Sequence, residues 1–305
     1  MKKIILLFLS IYSTFSCTNS HHLYQSFKNS NSEKQPLIIK TQTWNSEYPY
    51  FTEIFTKGAT LGLYVIPENR HHTAYSNHKN MYAKAHLIDN QLTWSKYPEV
   101  YLYKEAVKVY AYYPYQPQTN MNLYNIPIFI SPDASQTKDY MCGTQAHGQR
   151  KINKHSPIAL LYMKHTLSLL DIQIRLTPEI KNSYYLTAIQ VGNKYGGNAL
   201  SFRGSLNLQT GDIHRKTGTN NSTRLNIKPP LLLHTKTNQS FNVMVIPTSQ
   251  VKRDGDIEIV FIINEKRYKY LIPEQTEWKK GRKYSYDFLF DGYHIILHHT
   301  ESNKW

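Results

Sequence analysis

Side chains in this chain alternate with a period of two. From Leu170 to Leu176 the apolar residues are Leu170, Ile172, Ile174 and Leu176, with Asp171, Gln173 and Arg175 between them. Successive strand side chains point to opposite faces, so this reads as a half-buried β-strand with one wet face. Val107, Val109, Ala111 and Tyr113 repeat the pattern up to Pro114, and Phe241, Val243 and Val245 repeat it up to Pro247. Ile257 to Ile263 is apolar at nearly every position, which fits a strand buried on both sides. Asn264-Glu265-Lys266 then turns the chain into Tyr268, Tyr270 and Ile272, a hairpin by spacing. Tyr284, Tyr286, Phe288 and Phe290 form one more strand, and Ile295 with Leu297 a last one. Leu206-Asn207-Leu208 runs into the turn Gln209-Thr210-Gly211-Asp212. No stretch of ten residues carries helical periodicity. Many short strands between turn signals predict an all-β fold of sandwiches.

The stretch between Tyr140 and Pro157 is polar and glycine-containing, and it marks the expected division into two β-sandwich domains, 36–150 and 151–305. The amino terminus is different. Lys2 and Lys3 precede an apolar run from Ile4 to Leu9, followed by small and polar residues up to Cys17. That is the layout of a secretory signal over residues 1–17. The run is too short to span a bilayer, which takes about 20 apolar residues. Thr14-Phe15-Ser16-Cys17 resembles the bacterial lipobox, with Thr14 where leucine is usual. Cys17 is therefore the expected lipid-attachment residue, and an ordinary signal cut near Ser16 is the alternative. Acyl chains on Cys17 would hold the protein at a membrane, since each buried methylene contributes about 0.8 kcal/mol. Residues 18–35, rich in Ser, Asn and Lys, read as a flexible tether.

Beyond Cys17 the sequence holds one cysteine, Cys142, so an exported form has no internal disulfide framework. Stability must come from packing and sheet hydrogen bonds. The formal charge is +15, but the basic residues are scattered and form no run of the kind that grips nucleic acid. A solvated surface attracted to anionic glycans or membranes accounts for it. Enzymatic signatures are missing: there is no GxSxG, HExxH, P-loop or GxGxxG. No catalytic residue, cofactor site or metal site is assigned. Asp254-Gly255-Asp256 lacks the further ligands of a calcium loop and reads as a turn. Histidine doublets such as His298-His299 point to opposite strand faces, which does not suit chelation of one ion. His294 and His298 share a parity and are the one histidine pair expected on a common face. His165 reads as structural. The tyrosines from Tyr110 to Tyr115 suit either a sugar platform or, more simply, a sheet face.

Several segments together resemble the fimbrillin-like family of fimbrial lipoproteins. Val107 to Tyr115 is similar to its "YAYYPY" strand, and Asp139 to Thr144 to the segment closing its first domain. Lys164-His165-Thr166-Leu167-Ser168 resembles the "HxLS" opening of the second domain, and Gly204 to Gly211 a strand and turn within it. Trp278, Gly281, Tyr284 and Tyr286 match a late "W-x-x-G-x-x-Y-x-Y" stretch. The resemblance implies two tandem transthyretin-like β-sandwiches. It also implies an outer-membrane or cell-surface fimbrial subunit, anchor or tip adhesin that joins other subunits by strand exchange. Pro36 to Trp44 and Tyr293 to Trp305 are the two segments able to donate a strand, and both read equally as ordinary edge strands. Some relatives mature by cleavage after an arginine, and Arg70 is the first arginine here. A non-polymerising surface lipoprotein that binds glycans is the competing expectation.

Overall fold

The computed structural model describes residues 33–44, 51–69, 75, 77–118, 120–216, 218, 220–236, 239–249 and 251–305. Among these there is no α-helix, and a turn of 3-10 helix covers Ala134–Gln136. In chain order the strands of the first half are β1 (Gln35–Pro36), β2 (Ile38–Trp44), β3 (Phe51–Thr52), β4 (Thr60–Pro67), β5 (Met81–Ile88), β6 (Gln91–Tyr97), β7 (Tyr101–Leu102), β8 (Val107–Tyr113), β9 (Ile126–Phe129) and β10 (Met141–Gln145). They are followed by β11 (Ile158–His165), β12 (Ser168–Leu176), β13 (Tyr185–Asn193), β14 (Arg203–Leu206), β15 (Ile213–Lys216) and β16 (Ser222–Leu232). The last are β17 (Phe241–Val245), β18 (Ile257–Ile263), β19 (Lys266–Leu271), β20 (Arg282–Phe290) and β21 (Ile295–Lys304).

One sheet of eight strands, in the order β3-β2-β11-β10-β8-β4-β5-β6, builds the first unit. Its two ends meet: the Trp94 indole on β6 donates to the Thr41 hydroxyl on β2 at 3.1 Å. The rolled sheet encloses Leu37, Ile39, Leu61, Leu63, Val109 and Leu161, all buried. The small pair β1-β7 closes one side. β5 and β6 are joined by Asp89-Asn90, both at positive φ (49° and 58°), the geometry of a two-residue hairpin turn with matching twist.

The second unit is a sandwich of two four-stranded sheets, β17-β12-β20-β21 and β16-β13-β18-β19. Aromatic edges lock the sheets together: Phe261 on β18 meets Phe288 on β20 at 5.2 Å, and Tyr268 on β19 meets Phe290 at 4.7 Å. The turn at Asn264-Glu265 has both residues at positive φ (46° and 64°), so the expected hairpin forms between β18 and β19. Pro229 and Pro230 lie on β16, an edge strand, where a missing N–H leaves no ladder bond unmade and discourages pairing with another chain.

The polar face of β12 is less wet than its alternation predicts. β12 is an interior strand, and Asp171 is buried there, accepting from the Ser240 and Ser285 hydroxyls and facing Lys283 at 3.3 Å. Arg175 pairs with Asp287 of β20 at 3.0 Å. Charges that close to the sheet persist because each has a partner.

The chain crosses the expected line at residue 150 twice. β11 runs antiparallel to β10 and parallel to β2 in the first sheet. β9 leaves the first half to pair with β14 in a three-stranded sheet, β15-β14-β9. Strands β4, β8 and β10 are buried on both faces. Leu63, Ala111 and Met141 enter the first core, while Tyr64, Tyr112 and Cys142 enter the second.

Candidate functional site

For a chain without catalytic signatures, the places to look are the terminal strands, free edges and the seam between the units. β2 follows the expected tether. Its inward residues are Leu37, Ile39, Thr41 and Thr43, all buried, and Lys40 points out. It pairs in register with β11 from Ile38↔Ile158 to Thr43↔Met163. Its other edge is covered only at Thr43 and Trp44, by two residues of β3. β2 therefore fills the last long position of the rolled sheet, held by hydrogen bonds on one side and by side chains in the core.

β21 is the opposite case. It pairs only with β20, and beyond Ile295 and Leu297 its side chains are largely exposed. A bulge interrupts the pairing, since Phe288 faces Leu297 and Asp287 faces His299, leaving His298 as the extra residue. This breaks the parity by which His294 and His298 were expected to share a face. His294 lies in the turn before the strand, where Asp291 accepts from its backbone N–H at 2.6 Å and pairs with its ring. Among the described residues no three His, Cys, Asp or Glu side chains converge on a metal position.

The other residues singled out in the sequence fall into place. Asp254 caps a turn by accepting from the Glu274 N–H at 2.7 Å, and Gly255 occupies positive φ (74°). Tyr112 is in the core rather than on a platform, and Tyr115 packs on Tyr82 at 5.0 Å, which in turn meets the exposed Tyr97 at 5.7 Å. Cys17 and Arg70 lie outside the described residues. His165 is a pin at the seam. Its Nδ1 is 2.9 Å from the Asp139 carboxylate, and its ring stacks on Trp305 at 4.0 Å with planes 11° apart.

The late W-x-x-G-x-x-Y-x-Y stretch closes the same seam. The Trp278 indole is fully buried and donates to the Tyr286 hydroxyl at 2.8 Å, and the Lys279 N–H donates to the Tyr284 hydroxyl at 2.7 Å. Gly281 stands at positive φ (62°), donates to the Leu167 carbonyl at 2.8 Å and accepts from the Trp305 N–H at 3.0 Å. Only glycine takes that backbone at no steric cost. No motif announces that Trp305, 24 residues past Gly281 by number, returns to it; the β20–β21 register brings it there.

The sequence profile of the fimbrillin-like family matches residues 44–305. The chain belongs to the fimbrillin-like family. This places it among fimbrial proteins of the cell surface, a non-enzymatic class. Three solved structures share the fold of this fimbrillin-like chain. One, a candidate cell adhesion protein from Bacteroides ovatus, superposes with a TM-score of 0.64 at 15% identity over 90% of this chain and 99% of that one. Another candidate cell adhesion protein, from Bacteroides uniformis, gives 0.61 at 14% identity over 88% and 98%. A fimbrial protein from Bacteroides vulgatus gives 0.53 at 11% identity over 80% and 92%. No curated protein matches the chain significantly.

Buried acids at the seam give a pH signature. Burial pushes the Cys142 thiol up to about 11, against the pull of Lys280 and Lys164. Burial likewise pushes the Tyr64 and Tyr286 phenols up to about 12. All three titrate later folded than unfolded. Their contribution is fully present below the unfolded thiol value near about pH 9 and is lost as pH rises through about 11 to 12. The urea midpoint is expected to stay flat from about pH 7 to 8.5 and then fall. Thiol reagents at about pH 8 should label Cys142 only after unfolding, because the thiolate is the nucleophile.

Proposed function

We infer that this protein is a lipid-anchored fimbrial component of the outer membrane, a subunit, anchor or tip adhesin that joins its neighbours by β-strand exchange. The observation that carries the reading is the position of β2. It is the first long strand after the tether, it carries Ile39 into the core just after the buried Leu37, and it bonds along its length to β11, with β3 covering only Thr43 and Trp44 on its other edge. A strand so placed can be replaced by one from another subunit, which would supply the same backbone bonds and the same inward side chains. Head-to-tail repetition of that contact propagates a filament instead of closing a ring. β21, with its outer edge unpaired and its side chains exposed, is the matching candidate donor. Two β-units, a rolled sheet and a sandwich divided near the end of β11, organise this reading, with Cys17 as the acylated residue.

Assembly is tested by electrophoresis of whole-cell extracts after mild denaturation. Wild-type protein should run as ladders, and deletion of 36–44 or of 291–305 should abolish them. Monomer throughout would leave the competing reading, a non-polymerising glycan binder. Anchoring is tested separately: metabolic palmitate should label the wild type and not Cys17→Ala, and equal labelling of both removes the lipid anchor from the reading.

A further inference from the structure

At one end of the second unit lies a cavity of about 520 Å3, built by the β13–β14, β15–β16 and β17–β18 connections. The register brings them together, because Gly192 of β13 faces Ser222, which opens β16, and Asn193 faces Ile257, which opens β18. Backbone bonds tie the connections to one another. The Asn193 N–H donates to the Asn221 carbonyl at 2.8 Å, and the Lys194 N–H to the Asp256 carbonyl at 3.0 Å. Side chains brace the walls. Both ends of the Asn193 amide hold the Leu200 backbone, at 2.6 and 3.0 Å. Arg215 of β15 donates to the Ser201 hydroxyl and the Asn198 carbonyl at 3.0 Å each, and to the Ala199 carbonyl. Loops pinned in this way form a fixed recess, of the size that small-molecule sites have.

The groups left over on the wall are amides and hydroxyls. The Asn198 and Asn221 side chains have no hydrogen-bond partner among the described residues, although their backbone carbonyls are engaged. Asn220 Nδ2, in the same wall, lacks an acceptor, and such shielded donors in folded proteins usually have an ordered partner. Ser249 adds a hydroxyl, and the buried Leu200 and Phe202 add apolar surface. Of the cations, Arg215 is spent on bracing and Arg253 faces Asp256 at 3.5 Å, while Lys216 and Lys252 are exposed. An amide both donates and accepts, as a sugar hydroxyl does, whereas a carboxylate or sulfate only accepts. Beside the cavity, Tyr195 stands wholly in solvent on a tight turn, where the Gly197 N–H donates to the Lys194 carbonyl at 2.7 Å and Gly196 is at positive φ (75°). Gly197 itself lines the cavity. An aromatic ring fixed at such a rim offers a flat apolar face with a polar tip. We propose that this recess is a recognition site for a neutral sugar residue of a surface glycan. Asn198 and Asn221 hold its hydroxyls, and its C–H face lies on Tyr195. The inference rests on the adhesive side of the proposed function and names the ligand class and the place where it docks.

The test uses the full-length protein in detergent and titration calorimetry, with D-glucose, D-galactose, D-mannose, L-fucose and N-acetyl-D-glucosamine as probes. Sodium sulfate, a tri-glutamate peptide and glycerol are the comparators. At least one sugar should bind saturably and about tenfold or more tighter than any comparator, the size expected for two or more oriented hydrogen bonds. N198A/N221A should lose about tenfold in affinity with an unchanged melting temperature, since both side chains are exposed and the substitutions keep the bonded backbone carbonyls. Y195A should lose about threefold or more, and Y195F should bind as the wild type does. Y97A, which alters the exposed aromatic cluster of the first unit, should leave binding unchanged. Failure of all the sugars to bind saturably overturns the proposal, and so does full retention of affinity by N198A/N221A or by Y195A. Equally tight binding of sulfate or of the peptide overturns it too, because the recess is then a general anion site. Ladder formation by the same preparations reads assembly separately. Sugar binding without ladders refutes only the fimbrial reading, and ladders without sugar binding refute only this one.

Discussion

Trp278→Ala is expected to lower the unfolding free energy by about 3–5 kcal/mol, the range for removing a large aromatic from a packed core. Trp278 is fully buried, and its backbone exchanges hydrogen bonds with Thr248 at 3.0 and 3.2 Å. Truncation opens a cavity and also strands the Tyr286 hydroxyl, which accepts the indole N–H in a site only 6% exposed. An unsatisfied buried hydroxyl costs about 1–3 kcal/mol by itself. Trp278→Phe keeps most of the volume and loses the bond, so it should fall between Ala and wild type. Urea titration at constant m-value measures both. A loss under about 1 kcal/mol for Ala would mean that the seam repacks around the gap.

Gly62→Ala should be the most damaging single-methyl addition in the first unit. Gly62 on β4 lies directly opposite Tyr112 on β8, and the Tyr112 ring crosses over it. A Cβ at position 62 would stand 1.9 Å from one ring carbon and 2.2 Å from the next. The ring has little room to move, because it is 1% exposed and its hydroxyl donates to Asn80 at 2.5 Å. Overpacking of this kind costs about 1–3 kcal/mol. The cause is separable. In a Tyr112→Ala background the same change should cost almost nothing, giving a coupling energy of at least about 1 kcal/mol in a double-mutant cycle. Additive effects would mean the clash is not the reason.

Strands with one face in the core and one near water were legible in the sequence. Leu170 to Leu176, Phe241 to Val245 and Tyr284 to Phe290 lie in β12, β17 and β20. Those buried on both faces were less so. β10, with Met141 in one core and Cys142 in the other, lacks alternation, and its neighbourhood read as a polar division between domains. Gly143 within it is there for space, since a side chain would meet the Met163 sulfur at 2.2 Å. Non-local pairings left no local mark either. Nothing in residues 126–129 announces β14 as a partner, and the parallel pairing of β2 with β11 joins segments more than a hundred residues apart. The turn residues Asp89-Asn90 were a usable hairpin signal that periodicity alone did not bring out. The residues that meet at the seam come from the end of β11, the β19–β20 connection and the end of β21, so their convergence is a property of the register and not of any motif.

The parallel alignment of β2 and β11 has a mechanical consequence. A pull applied at the amino-terminal side of β2 acts along the strand's own axis. Six residue pairs in register then resist together in shear, instead of opening one after another as in a peeled hairpin. The first long strand of the fold is thus oriented to bear a steady axial pull.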